Sequence, residues 1–101
     1  MNIYFAHSKD FDYQNEYYKP IEKRKNLQNE TLIFPHKYQS NNKHDRSFYS
    51  GLDIFIAEVS YKATGLGIEL GFASDDQVPI YCFYRGGNKT KFFFKMFNRL
   101  Y

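Results

Sequence analysis

The sequence predicts an α/β fold built on a parallel sheet with helices on both faces. Three observations carry that expectation. Short apolar runs alternate with helix-spaced polar segments in the order β-α-β-α-β-α-β-α, the alternation of a parallel sheet. The clearest run, Asp53-Ile54-Phe55-Ile56-Ala57-Glu58-Val59, is apolar on both faces in its middle, as an inner strand is. A loop with two glycines, Gly65 and Gly67, follows it and opens a helix.

Residues 2–6 (Asn-Ile-Tyr-Phe-Ala) read as a short buried strand. Ser8, Asp10 and Asp12 then offer helix N-caps. Tyr13, Tyr17 and Ile21 recur at helical spacing, so a helix is expected from about Phe11 to Asn26, kinked or divided by Pro20. Thr31-Leu32-Ile33-Phe34 is a second strand, stopped by Pro35, and residues 36–43, with Ser40-Asn41-Asn42, form a loop. His44 to Gly51 predicts a short helix whose apolar contacts are Phe48 and Leu52. After the strand at 53–59, a helix is expected from about Leu66 to Ser74, and a turn at Asp75-Asp76-Gln77. Pro79 to Tyr84 is the fourth strand, broken by Gly86-Gly87. The tail, with Lys89, Lys91, Lys95 and Arg99 among Phe92, Phe93, Phe94 and Phe97, reads as an amphipathic final helix with a solvated basic face. The whole is a three-layer, Rossmann/flavodoxin-like arrangement with a short C-terminus.

A chain of 101 residues makes one domain, residues 1–101. Hydrophobic residues are 43% and charged residues 25%, the balance of a globular chain. No apolar run reaches the roughly 18–20 residues of a membrane span, so no membrane partner is expected. The N-terminus lacks the basic start and apolar stretch of a signal peptide. The single Cys82 excludes an internal disulfide framework and an all-cysteine metal site, and its place in a strand marks a buried thiol. These features suggest a cytoplasmic location. A net charge of +3 is too small to imply nucleic acid.

Ligands of such sheets sit beyond the carboxyl ends of the strands. Gly65 and Gly67 let a ligand approach the backbone, and the helix they open favours an anion, although the third glycine of a dinucleotide fingerprint is missing. Glu69 falls in what reads as the first turn of an apolar helix, where a carboxylate is held as the anion. It is either a helix-capping glutamate or an oriented nucleophile of the kind glycosyl transfer needs. Asp45 is either an N-cap or a second carboxylate of different environment, able to act as acid. Asp53 reads as structural, and Glu58 ends the central strand facing either the site or a neighbouring helix. His7, His36 and His44 are too irregularly placed for a metal motif, but His7 follows the first strand and can line a pocket.

Asp53-Ile-Phe-Ile-Ala-Glu58-Val-Ser60, followed by Gly65-Leu-Gly67-Ile-Glu69-Leu-Gly71-Phe-Ala73, resembles the nucleoside 2-deoxyribosyltransferase family, and within it the 2'-deoxynucleoside 5'-phosphate N-glycosidase branch. The opening Ile3-Tyr4-Phe5-Ala6-His7-Ser8 and the later Tyr81-Cys82-Phe83-Tyr84-Arg85 fit the same pattern. The resemblance implies that Glu69 attacks the anomeric carbon to form a covalent glycosyl-enzyme. It implies that Asp45 protonates or hydrogen-bonds the departing base and that Tyr4 positions Glu69 or the sugar. Ser8, with His7, Thr64 and the backbone at Gly65 and Gly67, would bind the sugar or its 5'-phosphate. Water as acceptor gives a hydrolase, and a second base gives a transferase. No metal or organic cofactor is implied.

Three departures qualify the resemblance. Lys62 and Ala63 stand where the family has Pro-Ser, the serine of which binds phosphate. Phe92-Phe93-Phe94 occupies the region from which the family reaches a neighbouring subunit's site. The chain stops at Tyr101, before a last strand and helix usual in the family, which would leave an exposed edge for a homodimer or higher homo-oligomer to cover. Beside the enzyme stand two other readings: a non-catalytic nucleotide-binding or signalling module on the same fold, and an interaction protein that uses its basic-aromatic tail.

Overall fold

A computed structural model describes residues 1–36, 45–85 and 92–96, the last as a backbone strand. The expected loop at Ser40-Asn41-Asn42, the break at Gly86-Gly87, His44 and the basic residues Lys89, Lys91 and Arg99 lie outside the described residues.

Five strands form one sheet: β1 (Asn2–His7), β2 (Thr31–Ile33), β3 (Ile54–Glu58), β4 (Ile80–Arg85) and β5 (Phe92–Met96). Their order is β2-β1-β3-β4-β5, with β1 to β4 all parallel. This α/β order is flavodoxin-like, with its switch point between β1 and β3. The register of the inner pair runs from Ile3↔Ile54 to His7↔Glu58.

Alternation along the inner strands feeds two cores. Tyr4, Ala6, Phe55, Ala57, Ile80 and Cys82 point to one face, where α2 (Thr64–Asp75) packs with Leu66 and Ala73. Ile3, Phe5 and Phe83 point to the other face, covered by Tyr17, Tyr18 and Ile21. Elements therefore lie on both sides of the sheet. Cys82 is a buried free thiol, as expected.

The expected helix at 11–26 is broken into pieces. A π-helical turn, Gln14–Tyr18, runs into α1 (Lys19–Glu22), and a 3-10 turn follows at Lys25–Leu27. Pro20 is the cause: it has no N–H to give the Glu16 carbonyl, so the backbone widens and Lys19 N–H reaches the Gln14 carbonyl, five residues back. The widened turn puts both Tyr17 and Tyr18 into the core.

The expected final helix is not formed at 92–96. Phe92–Met96 is β5, antiparallel to β4, with Phe83 opposite Phe94. Consecutive phenylalanines favour a pleated strand over a helix, and β4 offered an unpaired edge. The edge that was expected to stay open beside β4 is therefore covered by the chain itself.

Candidate functional site

The loops after β1 and β3 meet at the switch point and enclose a cavity of about 400 Å³. His7, Ser8 and Asp10 line it from β1 and its loop, and Lys62, Gly65 and Glu69 line it from the β3 loop and α2. Lys9 and His36 stand at its border as well.

α2 begins at Thr64, two residues earlier than the sequence indicates. Ala63 is its N-cap and has no side chain able to accept a hydrogen bond, which is why the start was hidden. Glu69 consequently stands in the second turn, not the first. The helix N-terminus is not what governs its ionisation. Burial raises the Glu69 carboxyl above its usual value, and the Tyr4 hydrogen bond, with the Tyr49 hydroxyl nearby, works in the opposite direction. The expectation of a carboxylate stabilised simply as the anion is corrected accordingly.

Tyr4 is fully buried, stacked on Phe55 at 5.3 Å between ring centroids, and its hydroxyl donates to Glu69 Oε1 at 3.1 Å. Burial, with Glu69 close by, pushes the Tyr4 phenol far up, so it stays a donor. Tyr49 packs edge-on against Tyr4, with ring centroids 6.0 Å apart, and its phenol is pushed up to about 12, mainly by burial and then by the nearby Glu69 carboxylate. Sequence reasoning passed over Tyr49. It lies in a 3-10 helix, Arg46–Gly51, where three residues per turn put Arg46, Tyr49 and Leu52 in line. Reading that stretch with a three-residue period would have found it.

On the β1 side a hydrogen-bonded chain orders the loop. His36 N–H donates to the Tyr18 hydroxyl oxygen at 3.1 Å, and the Tyr18 hydroxyl contacts His7 Nε2. His7 Nδ1 lies 2.7 Å from the Ser8 carbonyl, an acceptor only, so Nδ1 carries the proton and Nε2 accepts from Tyr18. Burial lowers His7 to about 4, which keeps the ring neutral and suits that tautomer. The Ser8 hydroxyl oxygen accepts from Asp10 N–H at 3.0 Å and fixes the turn into the cavity.

The remaining candidates are scattered. Thr64 and Gly67 are exposed and do not line the cavity. Gly65 does, and a Cβ there would meet nothing within 4 Å, so that space is open to a ligand. Asp45 is exposed, is absent from the cavity lining, and serves as the N-cap of the 3-10 helix: its Oδ1 accepts from Ser47 N–H at 3.1 Å and from the Ser47 hydroxyl at 2.6 Å. Asp53 ties the opposite edge, accepting from Asn2 N–H at 2.7 Å. Glu58 is buried in register with His7, and its Oε1 accepts from Ser60 N–H. It does not line the cavity, and its Oε2 has no hydrogen-bond partner.

Among the described residues no group of three or more His, Cys, Asp or Glu could hold a metal ion, and no helix is long and apolar enough to cross a membrane. In comparisons with known proteins, no family model, no curated protein and no solved structure matches the chain.

Proposed function

We propose that the cavity binds a nucleoside or nucleotide and that Glu69 cleaves its base–sugar bond. The observation that carries the proposal is a half-buried carboxyl, held by the Tyr4 hydroxyl, facing a cavity of about 400 Å³ at the switch point of the sheet. The resemblance of the Asp53–Ser60 and Gly65–Ala73 blocks to the nucleoside 2-deoxyribosyltransferase family supports the same reading.

In the reaction, a Glu69 oxygen forms a bond to the anomeric carbon as the carbon–nitrogen bond breaks. The electron pair passes to the departing base, which takes a proton. Water or a second base then attacks the same carbon and frees Glu69. The Tyr4 hydroxyl favours the ionised carboxyl that this attack needs, offsetting part of the cost of burial. Asp45 is poorly sited for the proton, because it caps the 3-10 helix outside the cavity lining. Asp10, which lines the cavity, is better sited. No cofactor is needed for these steps.

The test is to incubate the protein with nucleosides and nucleoside 5'-monophosphates and follow free base by chromatography. Wild type releases base, Glu69→Gln stays folded and does not, and Asp10→Asn loses more activity than Asp45→Asn. Equal release by Glu69→Gln overturns the proposal. Adding a second base separates transfer from hydrolysis.

A second reading, a nucleotide-binding module without turnover, is favoured by one observation: Asp45 and Glu69 do not share the cavity. It predicts a ligand-induced rise in melting temperature with no product.

A further inference from the structure

β1 and β3 pair as far as His7 and Glu58, and beyond that row the chain leaves the sheet in two loops. Each loop supplies one wall of the cavity. Ser8, Lys9 and Asp10 form the wall on the β1 side; Lys62 and Ala63 form the other, continued by Gly65 and Glu69 of α2. Among the described residues no backbone hydrogen bond and no ion pair joins residues 8–12 to residues 59–63. A ring contact does. Phe11, next to Asp10, is stacked on Tyr61, next to Lys62, with ring centroids 5.2 Å apart and an interplanar angle of 16°. Phe11 has further ring neighbours, His7 at 6.0 Å and Tyr13 at 6.3 Å, both edge-on. Tyr61 has none besides Phe11 among the described residues. Phe11 thus belongs to the aromatic group that orders the β1 side, and Tyr61 is the ring that the β3 loop extends to it.

From this arrangement we infer that Phe11 and Tyr61 are positioning residues for the cavity: their stacked rings clasp the loop after β1 to the loop after β3 and hold the two walls at one spacing. The inference rests on the reading of this cavity as the ligand site, but the clasp itself needs no ligand. Walls that are already placed spare a ligand the entropy of ordering them, so the clasp acts on affinity. The strength of a stacked ring pair bounds its effect at about a three- to tenfold change in an equilibrium. The Tyr61 hydroxyl makes no hydrogen bond among the described residues, so Tyr61→Phe keeps the clasp and Tyr61→Ala removes it.

The experiment reads two amides, one in each loop, by hydrogen exchange. Asp10 N–H donates to Ser8 Oγ at 3.0 Å, and Ser60 N–H donates to Glu58 Oε1. Tyr61→Ala speeds exchange at Asp10, across the cavity, about three- to tenfold. Phe11→Ala speeds exchange at Ser60 by a similar factor. In the Phe11→Ala background Tyr61→Ala adds nothing at Asp10, because the contact is already gone. Tyr61→Phe exchanges like wild type at both amides. A purely local role for either ring speeds exchange in its own loop alone. Exchange at Asp10 unchanged by Tyr61→Ala, or an effect there that persists undiminished in Phe11→Ala, overturns the inference. If Phe11→Ala does not fold, Tyr61→Ala against Tyr61→Phe decides, since Tyr61 lies outside both cores of the sheet. Where base release is measurable, Tyr61→Ala raises KM about three- to tenfold and leaves kcat within about twofold, because Glu69 stays on α2 with its Tyr4 donor. A fall in kcat with KM unchanged counts against the clasp. If wild type releases no base from any nucleoside or nucleoside 5'-monophosphate, the proposed activity fails and the exchange comparison still decides the clasp.

Discussion

The Tyr4 hydroxyl donates to Glu69 Oε1 at 3.1 Å and so joins the first strand to the helix that follows the third. The bond crosses from the sheet to the layer above it, beside the cavity that the loops after β1 and β3 line. It lets one aromatic side chain be both core and site: the ring stacks on Phe55 while the oxygen serves the cavity.

Tyr4→Phe keeps the ring and deletes the donor. The Glu69 carboxyl then loses the hydroxyl that donates to it, and the protein loses about 1–2 kcal/mol near neutral pH. Urea unfolding measures the loss. It shrinks in acid, where a protonated Glu69 no longer needs the bond as strongly.

Glu69→Gln has the opposite sign. Because burial raises the folded-state value of Glu69, its contribution to stability is full below the ordinary carboxyl value of 4.5 and is lost as pH rises through the folded value. At pH 7 the wild type bears the cost of a buried charge that the variant lacks. Glu69→Gln therefore melts at a higher temperature than wild type at pH 7, and the gap closes as pH falls towards 4.

His7 acts in the reverse direction over an overlapping window. Its folded value of about 4 lies below the ordinary 6.5, so the unfolded chain binds the extra proton between these values. Stability is full above 6.5 and falls as pH drops to about 4, by on the order of 3 kcal/mol. His36, lowered by burial, adds to the same trend. Thermal melts of His7→Gln across this range should lose most of the acid-side slope, whereas Glu69→Gln should steepen it.

Gly65→Ala and Gly67→Ala separate the cavity from the helix. Neither glycine has a positive φ, and a Cβ at either meets nothing within 4 Å. Each substitution should stabilise α2 by about 0.5 kcal/mol. Only Gly65 lines the cavity, so Gly65→Ala alone should weaken a ligand's effect on melting temperature.

The sheet was legible because its strands announce themselves by composition. Ile3, Phe5, Phe55 and Ile80 sit in short apolar runs bounded by turn residues, and parallel inner strands leave no other use for such runs. Ser8 and Glu69 could be placed in the same region because both follow the carboxyl ends of strands, whereas Tyr4 beside Glu69 came only from the family resemblance. What stayed hidden had local causes. Ala63 gives no capping signal, so α2 was started late and Glu69 was put in the wrong turn. Pro20 forces a π-helical turn that no 3.6-residue period describes. Phe92–Phe94 fits a helix face or a strand equally well until β4 offers its edge. Tyr49 was missed because a short segment between polar residues was read for hydrophobic contacts and not for a three-residue repeat.

The register Ile3↔Ile54 carries a consequence for biosynthesis. β1 is made before its inner neighbour and pairs with it only after roughly 50 further residues have been added, a wait of about 3–10 seconds at about 5–20 residues per second. Until then Ile3 and Phe5 belong to a nascent chain that β2 can pair on one side only. A ribosome pausing before β3 therefore prolongs the exposure of a sticky apolar strand, and the synthesis rate between residues 31 and 54 bears on how much chain reaches the folded state.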